Sequence, residues 1–316
     1  MCAGMKTLAL EACPTCAAHE SIDFRFGPQR LRRCAGCETV YAAEYADPSE
    51  VYVEGYLCAD TEFGIDISHP RFQRYLAGVG ADRARLIERI TGGRGRLLDV
   101  GAGSGEFAAA ARDHGFDVQA VEPESSGAEV ARNRGLDVRT AMLEDAGLPE
   151  RSYDVVCAFH VLEHLPDSRA FLRSLARFTK PGGHVVIEVP NFGSVLRRRS
   201  GVDWVHLRPL EHLIYHSPET LERCLWRSGL EPVAVRTRTW LSPPQILDDA
   251  LADLARPRLG PARSLVARPE HVDGDAVLVP RPIGWALLRA LASLYDFLRG
   301  GTVVVGVARV PPGAPA

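Results

Sequence analysis

The sequence lacks any long hydrophobic run. No stretch of its 316 residues approaches the roughly 18–20 consecutive apolar residues that span a bilayer. The first ten residues are too short and too mixed in character for a secretory signal, which needs a basic segment followed by an apolar one. We therefore expect a cytoplasmic protein without a transmembrane segment.

The sequence also lacks a strong excess of charge of either sign. It carries 37 Lys and Arg against 40 Asp and Glu, which gives a formal net charge of −3. A nucleic-acid-binding protein normally carries a basic excess that neutralises phosphates. The composition therefore argues against a nucleic-acid partner, and the length is sufficient for one large domain with small additions.

Cysteine is present, but the expected compartment argues against a disulfide framework. Four of the eight cysteines form two pairs, Cys13-x-x-Cys16 and Cys34-x-x-Cys37, with seventeen residues between them. This spacing is typical of a four-cysteine zinc ribbon, in which two knuckles supply tetrahedral thiolates. We predict a zinc-ribbon module over residues 1–45 that folds through structural Zn²⁺. A structural clip on the next domain is the preferred interpretation, and nucleic-acid binding is the alternative.

A glycine-rich turn follows the first buried strand pattern. Residues 97–107 read Leu-Leu-Asp-Val-Gly-Ala-Gly-Ser-Gly-Glu-Phe, so an apolar run ends, three glycines alternate and a helix begins. A parallel α/β sheet receives a cofactor at such a turn. The third glycine of a dinucleotide fingerprint is missing, because Glu106 occupies its position. Asp99 would repel a pyrophosphate, whereas it suits a ligand with a cationic end, such as S-adenosylmethionine (SAM).

Strand and helix patterns alternate from Arg96 onward, which predicts right-handed βαβ units and a parallel sheet. Strands are predicted at 96–100, 117–121, 137–140, 153–158, 184–190 and 231–237, and the β-branched run 302–310 is predicted to insert into the sheet as the last strand. We expect the chain to divide into a linker and helix covering the site (46–92), the SAM-binding core (93–240), a helical insertion with a flexible Arg/Pro-rich stretch (241–300), and the last strand and tail (301–316).

The insertion contains an amphipathic pattern over residues 283–299. Such a helix normally packs against a core or a second copy, and this is the preferred interpretation. Contact with a membrane surface or a lipid-linked substrate is the alternative.

Several segments after the strands carry a resemblance. The second strand ends in Val-Glu-Pro-Glu, residues 152–167 read SYDVVCAFHVLEHLPD, residues 179–191 read TKPGGHVVIEVPN, and residues 211–221 read EHLIYHSPETL. With the glycine turn, they resemble the class I SAM-dependent methyltransferases over about residues 70–240, closest to the branch with HVLEHL after strand 4. Several members of that branch carry an N-terminal CxxC…CxxC module. The resemblance implies an α/β, Rossmann-like seven-stranded sheet whose last strand is antiparallel.

Glu122 lies 21 residues after Gly101, at the end of the second strand, where a carboxylate can accept hydrogen bonds from both ribose hydroxyls. The resemblance implies that the glycine turn holds the methionine end of SAM, that Leu143 and Glu144 flank the adenine, and that Phe159 lines the mouth. The predicted cofactor-binding set is Asp99, Gly101, Ala102, Gly103, Gly105, Glu122, Pro123, Leu143, Glu144, Phe159 and His160.

Methyl transfer requires an aligned nucleophile and often the removal of a proton, for which imidazole is suited near neutral pH. We predict His160 and His212 as candidate bases, and we place His164 with them as the residue that fixes the following turn. His160-x-x-Glu163-His164 also resembles the ExxEH segment of ubiquinone-pathway O-methyltransferases, which is associated with a divalent metal. A catalytic divalent metal is therefore the second interpretation, although His160 replaces the first acid.

The sequence thus predicts a SAM-dependent methyltransferase with a small-molecule acceptor: a sugar, a nucleotide- or lipid-linked glycan, or a secondary metabolite. The alternatives are an RNA methyltransferase with a zinc module and a SAM-binding regulatory protein without catalytic activity. Three consecutive arginines, residues 197–199, follow the fifth predicted strand. They are interpreted either as a contact for a phosphate on the acceptor or as a solvated helix face.

Overall fold

The computed structural model describes residues 6–47, 51, 70–93, 95–240, 267–272, 275–280, 293, 294, 296 and 300–313. The predicted linker lies largely outside the described residues, as does the helix expected at 244–254. Of the predicted helix 283–299, only residues 293, 294 and 296 are described, and each of them is helical.

The N-terminal module is built from short antiparallel strands. They are β1 (Thr7–Ala9), β2 (Ser21–Phe26), β3 (Gln29–Cys34), β4 (Val40–Ala42) and β5 (Glu44–Ala46). β2 and β3 form a hairpin whose turn includes Gly27 at φ +61°, a left-handed conformation that glycine adopts without strain.

The rest of the chain alternates strands and helices. In chain order the elements are α1 (Pro70–Thr91), β6 (Arg96–Val100), α2 (Glu106–Asp113), β7 (Asp117–Val121), α3 (Ser125–Asn133), β8 (Asp137–Arg139), β9 (Tyr153–Phe159), α4 (Ser168–Phe178), β10 (Thr179–Pro190), α5 (Val195–Ser200), β11 (Ile214–Tyr215), α6 (Pro218–Arg227), β12 (Glu231–Arg238), β13 (Ala267–Val272), β14 (Asp275–Pro280) and β15 (Val303–Arg309).

Seven of these strands form one sheet in the order β12-β15-β10-β9-β6-β7-β8. The strands from β10 to β8 are parallel, while β15 runs antiparallel to both of its neighbours, β10 and β12. This arrangement confirms the predicted seven-stranded α/β sheet with an inserted, antiparallel last strand. β10 begins five residues earlier than predicted, with an irregular register between Thr179 and His184.

Helices cover both faces of the sheet, which is why its central strands are apolar on both sides. Leu172 of α4 and Leu221 of α6 pack on one face, whereas Ile87 of α1 and Phe107 of α2 pack on the other. No helix within the described part of the chain combines the length and apolar character needed to cross a membrane.

The insertion before the last strand contains a hairpin that we did not predict. β13 and β14 pair antiparallel, with His271 opposite Ala276. The sequence analysis interpreted this Arg/Pro-rich stretch as flexible, because its prolines and charges obscure the β-branched residues that favour a strand.

The module and the methyltransferase-like core share a sheet. β11, which belongs to the core, pairs antiparallel with β4 and gives the order β11-β4-β3-β2. The amide of Ala42 also donates to the carbonyl oxygen of Leu213, at 2.7 Å. The amide of Leu213 donates in turn to the carbonyl oxygen of Glu163, beyond the carboxyl end of β9. The module therefore lies at the edge of the sheet where parallel α/β proteins place their ligands.

Candidate active site

The glycine turn between β6 and α2 requires its glycines. Gly101, Gly103 and Gly105 have φ values of +75°, +54° and +81°, in the left-handed region. A Cβ on Gly101 would collide with the side chain of Val161, and one on Gly105 would lie 2.6 Å from Leu136 Cδ1. Glycine at these two positions thus lets Val161 and Leu136 pack directly against the backbone of the turn.

Asp99 is a buried carboxyl group just before this turn, with 3% of its surface exposed. Burial raises the pKa of Asp99 to about 7, and Glu122 and Glu106 add to the rise while Arg83 opposes it. A buried carboxyl group with two acids nearby favours a cationic ligand that would stabilise its ionised form.

Glu122 connects the end of β7 to the glycine turn. One carboxylate oxygen accepts from the amide of Gly103 at 2.7 Å, and the other accepts from the amide of Glu124 at 2.9 Å. Burial raises the pKa of Glu122, and these two hydrogen bonds oppose the rise. Each oxygen keeps a second lone pair, so both can accept from ribose hydroxyls.

The other predicted cofactor residues differ in burial. Leu143 is buried at the start of a short 3-10 helix, Leu143–Asp145, whereas Glu144 and Pro123 are exposed. Ala102 is half-buried within the turn. Phe159 is half-buried at the end of β9, where its ring packs edge-on against Phe107. The structure therefore brings the glycine turn, Glu122 and Phe159 to one edge of the sheet.

His160 follows β9 in a left-handed conformation, φ +56°, which is uncommon for a residue other than glycine. Its Nδ1 lies 3.1 Å from Glu163 Oε1 and its Nε2 lies 3.3 Å from Glu188 Oε1. Burial acts to lower the pKa of His160, but the hydrogen bonds and charges of the two carboxylates outweigh it and raise the pKa to about 9. The imidazole is therefore protonated near neutral pH, and both of its nitrogens are donors.

Glu188 joins His160 to a buried network that sequence reasoning missed. The carboxylate of Glu188 also forms an ion pair with Arg83 of α1 and accepts from Trp240 Nε1 at 2.8 Å. Burial acts to raise the pKa of Glu188, but Arg83 and His160 lower it to about 2. The available signal was an acid within the apolar run of β10, a position that is costly to bury without a cationic partner.

His206, six residues before His212, was also missed. Its ring stacks in parallel between those of His160 and His212, with centroids 5.9 Å and 6.3 Å apart and interplanar angles of 13° and 15°. His164 meets His212 edge-on at 4.6 Å. Four imidazoles from two loops thus lie together beyond the carboxyl ends of β9 and β10.

His212 has a defined tautomer. Its Nδ1 lies 2.9 Å from the carbonyl oxygen of His206. Because a carbonyl oxygen only accepts, Nδ1 carries the hydrogen and Nε2 keeps a lone pair. Burial, and then the charges of His164 and His206, lower the pKa of His212 well below its usual value. The ring is therefore neutral, with Nε2 available as an acceptor.

Glu163, His164 and His212 form a possible metal-ligand set, because one ligand atom from each lies within 4.8 Å of the others. Glu163 is fully buried, and its Oε2 has no hydrogen-bond partner among the described residues. Two imidazoles and a carboxylate form a common ligand set for divalent metals. His160, which stands where the ExxEH segment has its first acid, is not part of this set, and His212 from the later loop is.

The four cysteines of the module form a second possible ligand set. Cys13 Sγ lies 3.5 Å from Cys37 Sγ, and Cys16 Sγ lies 3.4 Å from Cys34 Sγ. The contact with Cys13, and then the hydroxyl of Thr39, outweigh burial and lower the pKa of Cys37 to about 4. Four converging sulfur atoms, one already favoured as a thiolate, fit a tetrahedral Zn²⁺.

The module also contacts the histidine loop directly. Gln29 Nε2 donates to the carbonyl oxygen of His212 at 3.4 Å, and Tyr215 Oη donates to Gln29 Oε1 at 2.7 Å. Arg223 of α6 donates to the carbonyl oxygen of Cys37 at 2.7 Å. The position of the loop therefore depends on the folding of the module.

Comparisons with known proteins relate the chain to a family. A family model described as a methyltransferase domain matches residues 71–235, slightly more than half of the chain. The ubiquinone biosynthesis O-methyltransferase of Bordetella avium is 32% identical over 180 residues, which are 51% of this chain and 73% of that protein. The enzyme of the same name from Idiomarina loihiensis is 28% identical over 168 residues, covering 48% and 69%. A solved SAM-dependent methyltransferase from Archaeoglobus fulgidus is 20% identical, with a TM-score of 0.48 and coverage of 74% and 94%.

Proposed function

Since the chain belongs to the methyltransferase-domain family and is a SAM-dependent methyltransferase, we propose that it methylates a small molecule whose proton His212 accepts. The observation that carries the proposal is the position of His212. Its unprotonated Nε2 lies among the loops at the same edge of the sheet as the glycine turn and Glu122.

The fit to SAM rests on four features of the site. Asp99 is a carboxyl group whose pKa burial raises to about 7, and it takes the cationic methionine end. The glycine turn provides the close backbone approach, Glu122 binds the ribose hydroxyls, and Leu143 packs against the adenine. When bound, SAM supplies a methyl carbon activated by the adjacent sulfonium.

The histidines have different roles in this proposal. His212 Nε2 takes the acceptor's proton as the nucleophile approaches, and the carbonyl oxygen of His206 holds its ring in the required tautomer. His160 is a positioning residue, because its two nitrogens are engaged by Glu163 and Glu188 and hold the ends of β9 and β10 together. His164, edge-on to His212, restrains that ring.

A divalent metal on Glu163, His164 and His212 is the second interpretation, carried by the unpartnered Glu163 Oε2. Such a metal would lower the pKa of a hydroxyl on the acceptor. The Bordetella relative is named an O-methyltransferase, so a hydroxyl is the first nucleophile to test. We also assign structural Zn²⁺ to Cys13, Cys16, Cys34 and Cys37, whose four sulfur atoms converge.

The test combines SAM titration calorimetry with a methyl-release screen over phenols, sugars, sugar nucleotides and RNA. We expect SAM binding that Asp99→Ala and Glu122→Ala each weaken at least tenfold, with turnover on a small hydroxylated acceptor.

Turnover on RNA alone would support the RNA methyltransferase alternative. SAM binding without turnover on any acceptor would support a regulatory protein, and equal SAM affinity in the variants would refute the assigned site. Full activity after removal of every metal except the zinc on the four cysteines would exclude the catalytic metal.

A further inference from the structure

We call three arginines at the junction of the module and the core the arginine cluster: Arg197 and Arg198 of α5, and Arg33 of β3, whose positive charge acts on Arg197. The guanidinium carbon of Arg197 lies 4.4 Å from the ring centroid of Phe192 and 5.7 Å from that of Phe26. Arg198 donates to the carbonyl oxygen of Gly193 at 2.6 Å. Arg33 and Arg198 are exposed, whereas Arg197 is half-buried against the aromatic rings.

Within the described part of the chain, no carboxylate forms an ion pair with Arg33, Arg197 or Arg198. Burial, and then the positive charges of Arg198 and Arg33, lower the pKa of Arg197. Other arginines of the module region are paired: Arg30 and Arg32 with Asp23, and Arg223 with Glu38. Like charges held together without a counter-ion are destabilising, so an anion bound there would be favoured.

The arginine cluster is connected to the histidines by a row of aromatic side chains. Trp204 lies between His206 and Phe192, with ring centroids 5.4 Å and 6.0 Å away. Phe192 then contacts Arg197. Because α5 follows the carboxyl end of β10, this row starts at the proposed site of methyl transfer and stays on the same edge of the sheet. Trp204 is only 2% exposed, so the row joins the two regions through packed side chains, and both regions lie on one edge of the sheet.

We propose that Arg33, Arg197 and Arg198 bind a phosphate or diphosphate group of the acceptor. The planar guanidinium donates two parallel hydrogen bonds to phosphate oxygens, which makes arginine the preferred residue for this recognition. The inference rests on the proposed function and narrows its acceptor to phosphate-bearing molecules, either nucleotide-linked or lipid-linked. The exposed side chains Val202 and Val205, in the loop after α5, add apolar surface near the cluster.

An RNA phosphate backbone is the competing source of anions, and the charge distribution disfavours it. RNA-binding surfaces need basic residues along an extended track. Here the neighbouring strands carry Asp23, which neutralises two arginines, and the chain is acidic overall. The arginine cluster is therefore a short basic patch beside arginines that Asp23 neutralises, which matches a single phosphate or diphosphate group.

The test measures the binding of inorganic pyrophosphate, uridine diphosphate, geranyl diphosphate and a single-stranded RNA to the full chain at low salt. The variant Arg33→Gln/Arg198→Gln removes the two exposed arginines. The control Arg25→Gln/Arg173→Gln removes the same charge from exposed arginines of β2 and α4. SAM affinity is measured in every variant.

We expect pyrophosphate to bind at least tenfold more weakly to the cluster variant and within twofold of the unmodified chain to the control, with SAM affinity unchanged. Tighter binding of uridine diphosphate than of geranyl diphosphate would identify a nucleotide-linked acceptor, and the reverse order would identify a lipid-linked one. Equal losses in both variants, or RNA binding without pyrophosphate binding, would overturn the inference. SAM affinity is a separate reading: failure of the unmodified chain to bind SAM would refute the proposed function, whatever the result for pyrophosphate.

Discussion

His212 donates its Nδ1 hydrogen to the main-chain oxygen of His206, 2.9 Å away, while the two rings stack at an interplanar angle of 15°. The amides of Glu211 and His212 both donate to the carbonyl oxygen of Arg208, so the loop between the two histidines is closed by its own backbone. The local fold therefore determines which nitrogen of His212 can accept a proton.

Replacing His212 with Asn separates the two functions of its ring. The amide nitrogen of Asn can still donate to the carbonyl oxygen of His206, but nothing replaces Nε2. We expect kcat to fall by about 10²- to 10⁴-fold, the usual contribution of a general base, with SAM affinity within twofold of the unmodified chain. Steady-state kinetics and SAM titration measure the two effects.

The matched control is His19→Asn, because His19 is exposed in the N-terminal module. It should leave kcat, SAM affinity and thermal stability unchanged. Normal turnover by His212→Asn would contradict the assigned role, and a common loss of SAM affinity and stability would show that His212 only supports the fold.

Asp99 predicts a pH dependence of SAM binding. Its pKa is raised to about 7, so the carboxyl group of the free enzyme is mostly protonated below that pH and must lose its proton to bind a cation. Affinity should therefore rise about tenfold per pH unit from pH 5.5 to 7 and level off above 7. The α-amino group of the ligand keeps its charge over this window.

Asp99→Asn should bind SAM weakly and almost independently of pH between 5.5 and 7. The folding stability of the chain should change with pH in the opposite direction to its SAM affinity. A raised pKa in the folded state means that folding favours the protonated form of Asp99. The contribution of Asp99 to stability is present below its unfolded pKa near 4 and is lost as pH rises through about 7. An unchanged slope of SAM affinity against pH in Asp99→Asn would refute the assignment.

The sheet was predictable because its signals are local. Alternating strands and helices, the glycine turn and the β-branched run 302–310 each report on their own segment, and connection rules then place the strands. The hairpin of β13 and β14 was missed, since prolines and arginines weaken the pattern on which such a prediction depends.

The site was only partly predictable, because its key relationships join distant segments. Arg83 and Glu188 form a pair across 105 residues, and nothing in either local pattern shows it. His160 was predicted as a candidate base from its position after β9. Its two carboxylate neighbours, Glu163 and Glu188, keep its ring protonated, and Glu188 comes beside it only because β9 and β10 are adjacent in the sheet. His206 was missed because a lone histidine in a loop has no periodic signal.

The glycine turn should respond unequally to alanine. In Gly103→Ala the added Cβ meets open space. The free energy of unfolding should therefore fall only by the cost of a left-handed backbone for alanine, about 1–2 kcal/mol. Gly105→Ala adds a collision with Leu136 and Ala131, for a total of about 2–5 kcal/mol. Urea unfolding measures both free energies, and equal losses would show that the packing around Gly105 relaxes freely.

Zinc loss should impair methyl transfer more than SAM binding, because the module holds the loop that carries His212. Cys16→Ser removes one of four converging sulfur ligands, and we expect loss of bound zinc with at least a tenfold fall in kcat.

Gln29→Ala should keep zinc yet also lower kcat, since it removes the donor to the carbonyl oxygen of His212 and leaves the buried Tyr215 hydroxyl without its acceptor. That unpaired hydroxyl costs about 1–3 kcal/mol of stability. Metal analysis, SAM titration and turnover distinguish the two variants, with Cys58→Ser, outside the described residues, as the thiol control. Full turnover by zinc-free Cys16→Ser would show that the loop keeps its position without the module's metal.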